Sequence, residues 1–232
     1  MQNLERLLRT VCLWEKIINQ YIVTKKGLIH FESTLLLDRI QNLEFSSDFT
    51  CHAKYKSIYT KRKTLEQLAE NGANIALALL NDKIIVGYAV LDYPNKKNRW
   101  ARLGEKVMIE LKAVEVLRGY RNHGIGRHLL LHLLSHPKLE QKIIYLTAYS
   151  WTWDLDYSDL NPQSYRDMLI SLYTGLEFME YQTNEFNICL KPENIFMAKV
   201  GKYIFQKTLT DFKYLRFGLI TSSMSDSTEK IH

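Results

Sequence analysis

Cysteine is scarce: Cys12, Cys51 and Cys189 are far apart in a chain of 232 residues and odd in number. That excludes a disulfide framework, and no zinc spacing is present, so a reducing compartment, the cytoplasm, is expected. Long apolar runs are missing as well. The uncharged stretch from Ile143 to Trp153 is rich in Tyr and Trp and falls far short of the roughly 20 apolar residues of a membrane-spanning helix. Glu5, Arg6 and Arg9 stand in the first turns with no apolar core, so no signal peptide is expected. Charge of one sign is not concentrated. The net +6 favours acidic ligands or an acidic protein surface, but it is too small and dispersed to argue for nucleic acid. No internal repeat is evident.

What is present reads as an ordinary globular chain, 46% hydrophobic and 24% charged, long enough for one good core or at most two small domains. Leu4, Leu7, Leu8, Val11 and Ile18 share one face of a helix over residues 3–18, an N-terminal helical extension covering 1–19. Residues 20–32 read as two short strands around Lys25-Lys26-Gly27, and Thr34–Leu43 as a short helix. Thr64-Leu65-Glu66-Gln67 has the pattern of a capping box, with its helix stopping at Asn71-Gly72. Ile75–Leu80 and Lys83–Leu91 form a hairpin over Asn81-Asp82, and Pro94–Arg102 is a polar connection. Strands are expected over Val107–Val116, Ile143–Trp153 and Phe178–Tyr181, and helices over Gly124–Ser135 and Gln163–Gly175. Pro192 opens a further helix to about Phe205, within a C-terminal helical appendage at 191–218. The polar residues from 219 onward, above all Ser222–His232, read as a disordered tail. The order fits one mixed α/β domain over 20–190 with a helical appendage at each end.

The centre of the sequence is AVEVLRGYRNHGIGRHLLLHLL, from Ala113 to Leu134. An apolar strand, a basic turn, two glycines and a leucine-rich helix follow in that order. Such an order aims the unpaired N–H groups and the positive dipole end of a helix at an anion, which suits a phosphate. No Gly-Lys-Ser/Thr follows, so this is not a Walker loop. The third glycine of a dinucleotide fingerprint would fall on Leu129, so it is not a Rossmann turn.

What remains, Arg121-x-x-Gly124-x-Gly126 after a strand, resembles the pyrophosphate-binding motif of the GNAT N-acetyltransferases, which bind acetyl-coenzyme A. The resemblance implies a mixed, mostly antiparallel central sheet flanked by helices. It also implies that Arg121, Asn122, His123, Gly124, Ile125, Gly126 and Arg127 hold the cofactor. In that fold the central strand and the next one part, and the pantetheine arm bonds the exposed strand backbone. Val116, with Val114 next, is the partner it implies here.

Acetyl transfer to an amine needs the neutral amine. A lysine at pH 7 must give up a proton at a cost of about 4.6 kcal/mol. A positioned carboxylate can take it. Glu110 and Glu115 on the central strand compete for that part. Strand parity groups Glu110 with Val114 and Val116, and Glu115 with Ile109 and Leu111, unless a bulge of the kind usual in this fold shifts the parity. Glu110 is favoured. Leu172-Tyr173-Thr174-Gly175-Leu176-Glu177-Phe178 looks like the family's Leu-Tyr-x-x-x-Gly-Phe segment, with Glu177 in place of the usual glycine. That makes Tyr173 the candidate acid for the leaving thiolate. His128, His132 and His136 recur every four residues, but no carboxylate or cysteine lies near them in sequence. A solvated stripe is expected, and no metal. No cysteine sits in a nucleophile motif, so transfer is expected to be direct.

Tyr149-Ser150-Trp151-Thr152-Trp153-Asp154-Leu155, Tyr165-Arg166, Met197-Ala198-Lys199-Val200-Gly201 and Leu215-Arg216-Phe217 narrow the resemblance, together with Gly87-Tyr88 and Asn98-Arg99-Trp100. They resemble the bacterial acetoin-utilisation acetyltransferases. That implies a protein substrate, a lysine of acetyl-coenzyme A synthetase, whose acetylation switches that enzyme off. The tryptophan segment would then line the acceptor side. Two other readings stay open: a small amine as acceptor, which Asp154, Asp156 and Asp159 would suit, and a coenzyme-A-binding regulatory module without turnover.

Overall fold

Side chains alternate between buried and open along Met108–Val116, whereas Asn74–Leu80, Ile84–Asp92, Ile143–Ala148 and Ile195–Val200 carry continuous buried runs. The structure, a computed structural model, describes residues 20–33, 37–50, 55 and 57–219. The N-terminal helix expected over 3–18 and nearly all of the expected tail lie outside the described residues. Among the described residues the strands are β1 (Tyr21–Thr24), β2 (Gly27–Ser33), β3 (Glu44–Phe45), β4 (Asn74–Leu80), β5 (Ile84–Asp92), β6 (Met108–Val116), β7 (Ile143–Ala148), β8 (Met179–Glu180) and β9 (Ile195–Val200). The helices are α1 (Leu37–Gln41), α2 (Arg62–Glu70), α3 (Ile125–Leu134), α4 (Leu155–Ser158), α5 (Pro162–Thr174), α6 (Phe186–Cys189) and α7 (Gln206–Leu215). Strand order in the sheet is β1-β2-β4-β5-β6-β7-β9-β8, with β3 beside β5. The pairs β1–β2, β2–β4, β7–β9 and β8–β9 are antiparallel, while β6–β7 and β3–β5 are parallel. This is the mixed, mostly antiparallel α/β sheet that the sequence implied. No described helix is long and apolar enough to cross a membrane.

The chain divides into two compact units, and β5 and β6 each begin in one and end in the other. The first holds the described residues up to 50, with 57–90 and 113–135. Its core is the near-continuous apolar run of β4 and β5 with Leu129, Leu130 and Leu133 of α3, all essentially buried. The β4–β5 hairpin turns on Asn81 and Asp82, both at positive φ (50° and 60°), the geometry that Asn and Asp tolerate best after glycine.

The second unit holds 91–112 and the described residues from 136, with Tyr55. Its core is aromatic. Trp100 stacks on Phe196 at 4.5 Å and meets Tyr145 at 5.5 Å, with Met108, Phe212 and Leu215 around them. The polar connection expected at 94–102 therefore hides a core anchor. A 3-10 turn over Arg99–Leu103, capped by the Asn98 side chain on Trp100 N, swings the indole inward.

The structure corrects three further expectations. The helix predicted from Pro192 is a strand, β9, paired along its length with β7 from Ile143↔Val200 to Ala148↔Ile195. Ile195, Phe196, Met197 and Ala198 are all buried, and a continuous apolar run carries no period to separate strand from helix. The terminal helix, α7, begins where that one was expected to end. The strand predicted over Ile143–Trp153 stops at Ala148, because Ser150 N donates to the Asn194 side chain and Thr152 folds back on the Tyr149 carbonyl. Finally, α2 starts at Arg62 rather than at Thr64: Arg62 bridges Glu66 one turn on at 2.8 Å and donates to the Leu43 carbonyl, so Arg62 and Lys63 belong to the first turn.

Candidate active site

In the first unit, β6 ends at Val116, a 3-10 turn covers Arg118–Tyr120, and α3 begins at Ile125. Gly124 caps α3 at φ 74°, a left-handed conformation that glycine enters without strain, and Asn122 before it is also at positive φ (65°). The first bond of the helix runs from His128 N to Gly124 O. By helix geometry the N–H groups just ahead of it, in the turn opened by Ile125, Gly126 and Arg127, find no acceptor within the helix. Ile125 is buried and pins that turn to the core, while Asn122, His123, Gly124 and Arg127 stay exposed. Arg121 donates Nε–H to the Val116 carbonyl at 2.9 Å, tying the loop to the strand end. The His123 ring bonds the Arg121 carbonyl.

Gly126 differs from Gly124. Its φ is ordinary, and a Cβ there would only graze Val116 Cγ2 and Val114 Cγ1, at 3.9 and 4.0 Å. Nothing in the protein requires glycine at this position, which leaves room for a close-packed ligand at the helix start. The structure also adds a cation that the sequence did not reveal: Lys26, from the β1–β2 turn, stands 4.8 Å over the Tyr120 ring. Its place beside the loop depends on the hairpin register.

Burial along β6 alternates without a break from Ile109 to Val116, so Glu110 shares the partly open face with Lys112, Val114 and Val116 and no bulge shifts the parity. The two candidate carboxylates have opposite surroundings. Glu115 is buried in the first unit and accepts from Ile58 N at 3.3 Å and from Ser57 Oγ at 3.5 Å. Glu110 lies in the second unit, partly open, 3.5 Å from Lys112 Nζ, which also lies 3.7 Å from Asp92. The β6–β7 ladder is short: it covers Met108↔Ile143 to Glu110↔Tyr145 and stops there, although β6 runs on to Val116. Glu110 is thus the last paired residue before the β6 backbone loses its partner on that side.

Directly across from Glu110 stands Tyr145, fully buried. Burial, and then the nearby Glu110 charge, push its hydroxyl far above the usual tyrosine value. The hydroxyl feels the Glu110 carboxylate closely, yet no formed hydrogen bond satisfies it. Tyr149, two turns of the pleat along, is also raised, first by burial. Hydrogen bonds with Thr147 and Asn187 pull it down, and the charges of Glu185 and Glu110 push it up. Tyr145 was not singled out from the sequence, because its opposition to Glu110 is a fact of strand register, and Tyr149 stood out only as the first residue of the tryptophan segment.

Tyr173 lies on α5, nearly buried, edge-on to Phe178 at 5.8 Å. The segment after it closes with Leu176 N and Phe178 N both on the Tyr173 carbonyl, and Glu177 between them takes φ 69°. A left-handed residue explains why glycine is usual there. Here the glutamate is held instead by Lys199 Nζ at 2.6 Å, a bond that lowers its pKa.

The histidine stripe is not simply solvated. His128 and His132 are half-buried and stack on Phe31 of β2 at 5.3 and 5.5 Å. A different trio, His30, Glu32 and Asp82, has ligand-type atoms within 4.8 Å of one another. An ion-pair network already accounts for it, since Arg39 grips both oxygens of Glu32 and His30 bonds Asp82.

Comparison with known proteins bears directly on these features. The model of the Acetyltransferase (GNAT) family matches residues 37–152, which include β6, the glycine turn and α3. The acetoin utilization protein AcuA of Bacillus licheniformis is 28% identical over 194 residues, covering 84% of this chain and 91% of its own length. AcuA of Bacillus subtilis is 28% identical over 196 residues, covering 84% and 92%. The crystal structure of an acetoin utilization protein from Exiguobacterium sibiricum superposes with a TM-score of 0.76 at 24% identity, over 85% of this chain and 93% of that one, and so shares the fold.

Proposed function

Starting from the chain's membership of the GNAT acetyltransferase family, and hence its nature as an acyltransferase, we propose that it transfers the acetyl group of acetyl-coenzyme A directly to a lysine of a protein substrate. The observation that carries the reading is the end of β6: a strand that runs past its last β7 partner into a left-handed glycine and an open helix start. The N–H groups of Ile125, Gly126 and Arg127, with the dipole of α3 and the charges of Arg121, Arg127 and Lys26, suit a pyrophosphate. Gly126 lets it approach the backbone. The β6 backbone at Val114 and Val116 suits the amides of a pantetheine arm.

Glu110 is the base we assign, because Glu115 already holds the 57–58 segment in place. The lysine gives its proton to the Glu110 carboxylate, and its nitrogen attacks the thioester carbonyl. The C–N bond forms and the C–S bond breaks. The thiolate leaves with a proton, for which the Tyr173 hydroxyl is the donor, and the second proton that the lysine nitrogen sheds on becoming an amide returns to the Tyr173 phenolate through solvent. Chemically, acetylation removes a charge and hydrogen-bond donors from the target, which is enough to silence a catalytic lysine.

The likeness to the acetoin utilization proteins supports a protein lysine as acceptor, and acetyl-coenzyme A synthetase as the target and the cytoplasm as the place of action are carried over from the resemblance of the sequence motifs. The test is to incubate the purified protein with acetyl-coenzyme A and the synthetase of the same organism and to map acetyl groups by mass spectrometry. One modified lysine with loss of synthetase activity is expected. Transfer to a polyamine panel but to no protein would overturn the protein-substrate reading.

A further inference from the structure

On the partly open face of β6, Lys112 stands between the assigned base and the backbone that suits the pantetheine arm. Glu110, Lys112, Val114 and Val116 follow one another on that face at every second residue. The Lys112 side chain is 25% exposed. Its Nζ lies 3.5 Å from a Glu110 oxygen and 3.7 Å from Asp92 at the end of β5. Both pairs are longer than the roughly 2.7–2.9 Å of a charge-assisted hydrogen bond, so charge keeps the ammonium near two carboxylates without fixing it there. Lys199 shows the contrast, since Glu177 grips it at 2.6 Å. A lysine head on its flexible four-carbon stem, so loosely paired, swings without giving up a well-made bond.

The Glu110–Lys112 pair is the arrangement that amine acetylation needs: an amine beside the carboxylate that takes its proton. An acceptor carried on the same strand as the base also meets the thioester in an intramolecular step, with no substrate to capture first.

We infer that Lys112 is itself acetylated by the chain that carries it, from acetyl-coenzyme A bound at its own glycine turn. The inference rests on the assignment of the coenzyme to β6 and of the base to Glu110, and not on the identity of the external acceptor. The Lys112 ammonium passes one proton to the Glu110 carboxylate. Its nitrogen attacks the thioester carbonyl. The C–N bond forms, and the C–S bond breaks with its electron pair left on sulfur. The second proton of the nitrogen goes to the sulfur, so coenzyme A leaves as the thiol, and Glu110 returns its proton to water. Asp92 stays beside the ammonium and favours its charged form, which makes this transfer slow beside turnover on a substrate. The product amide carries no charge, so Glu110 and Asp92 lose the cation they share.

The test incubates the full chain alone with acetyl-coenzyme A bearing a 13C-labelled acetyl group and follows each lysine by peptide mass spectrometry. Label is expected on Lys112 at least tenfold faster than on Lys96 and Lys97, two exposed lysines that report uncatalysed acetylation. The rate should be first order and unchanged when the protein is diluted. In E110Q, labelling of Lys112 should fall at least tenfold while Lys96 and Lys97 are labelled as before. Unlabelled acetyl already on Lys112 at purification should be present in the parent and absent from E110Q. Label on Lys112 no faster than on Lys96 and Lys97, or a rate that rises with protein concentration, would overturn the proposal.

Two further readouts separate this failure from failure of the assignments beneath it: calorimetry with coenzyme A, and the rate of transfer to an external amine, spermidine or a lysine peptide. Coenzyme A that binds, and an external rate that falls in E110Q, with no selective label on Lys112, sink the proposal and leave the coenzyme and base assignments standing. Coenzyme A that does not bind removes the assignments and the proposal together. Selective label on Lys112 that persists at full rate in E110Q overturns the route through Glu110.

Discussion

Glu110 and Glu115 sit on one strand, on opposite faces, and the two ends of β6 give them opposite surroundings. At the Glu115 end the carboxylate is buried, and backbone and hydroxyl donors of residues 57–58 come to it. At the Glu110 end the carboxylate is partly open, beside one ammonium and a buried tyrosine that does not complete a hydrogen bond with it. A satisfied carboxylate holds structure together; one with spare acceptor capacity at the point where a ladder ends is able to take a proton. Identical side chains are thus left satisfied or with spare acceptor capacity according to what the neighbouring backbone already supplies.

The sharpest way to break the comparison is to neutralise Glu110. In E110Q we expect kcat to fall by about 10²- to 10⁴-fold, the usual range for a lost general base, with the thermal midpoint unchanged. Steady-state rates and a melting curve read both, and a drop of less than tenfold would move the base elsewhere. Next comes E115A, which strips the acceptor from Ile58 N. Chemical denaturation should show a loss of about 1–3 kcal/mol, while kcat of the folded enzyme stays near its parent value.

A third variant probes the loop behind the Glu115 end. In G126A a Cβ fits against Val114 and Val116, so stability should hold or rise by up to about 1 kcal/mol. Coenzyme A affinity, measured by calorimetry, should nevertheless fall about tenfold. Unchanged affinity would mean that no ligand packs there.

The smallest effect belongs to the Glu110 end. Y145F removes a buried hydroxyl that has no partner, and we expect a gain of up to about 1 kcal/mol near neutral pH. The sign of its pH dependence is fixed. Because the folded pKa of Tyr145 is raised, its contribution is fully present below the ordinary tyrosine value near 10. It is lost as pH rises above that value, since the unfolded chain ionises and the folded one resists. Y145F should therefore flatten the alkaline loss of stability, and an unchanged alkaline slope would show that Tyr145 is not its source.

Local pattern made much of this molecule legible. The β4–β5 hairpin, the strand–turn–helix of β6 and α3, and the span of α5 follow from period, turn residues and caps, each a matter of a few neighbouring residues. Where the signal was not local, expectation failed. Pro192 promised a helix, and the run from Ile195 to Ala198 is buried all round, so only pairing with β7 reveals it as a strand. Trp100 read as part of a polar link until Phe196 and Tyr145 closed on it.

By itself, then, the sequence determined the glycine turn, the helix dipole behind it and the pair of carboxylates on one strand, because backbone conformation and strand parity are set by adjacent residues. Tertiary structure alone decided which carboxylate is already satisfied and which tyrosine faces the other. Those are facts of register and burial, and they join residues that lie tens of positions apart in the chain.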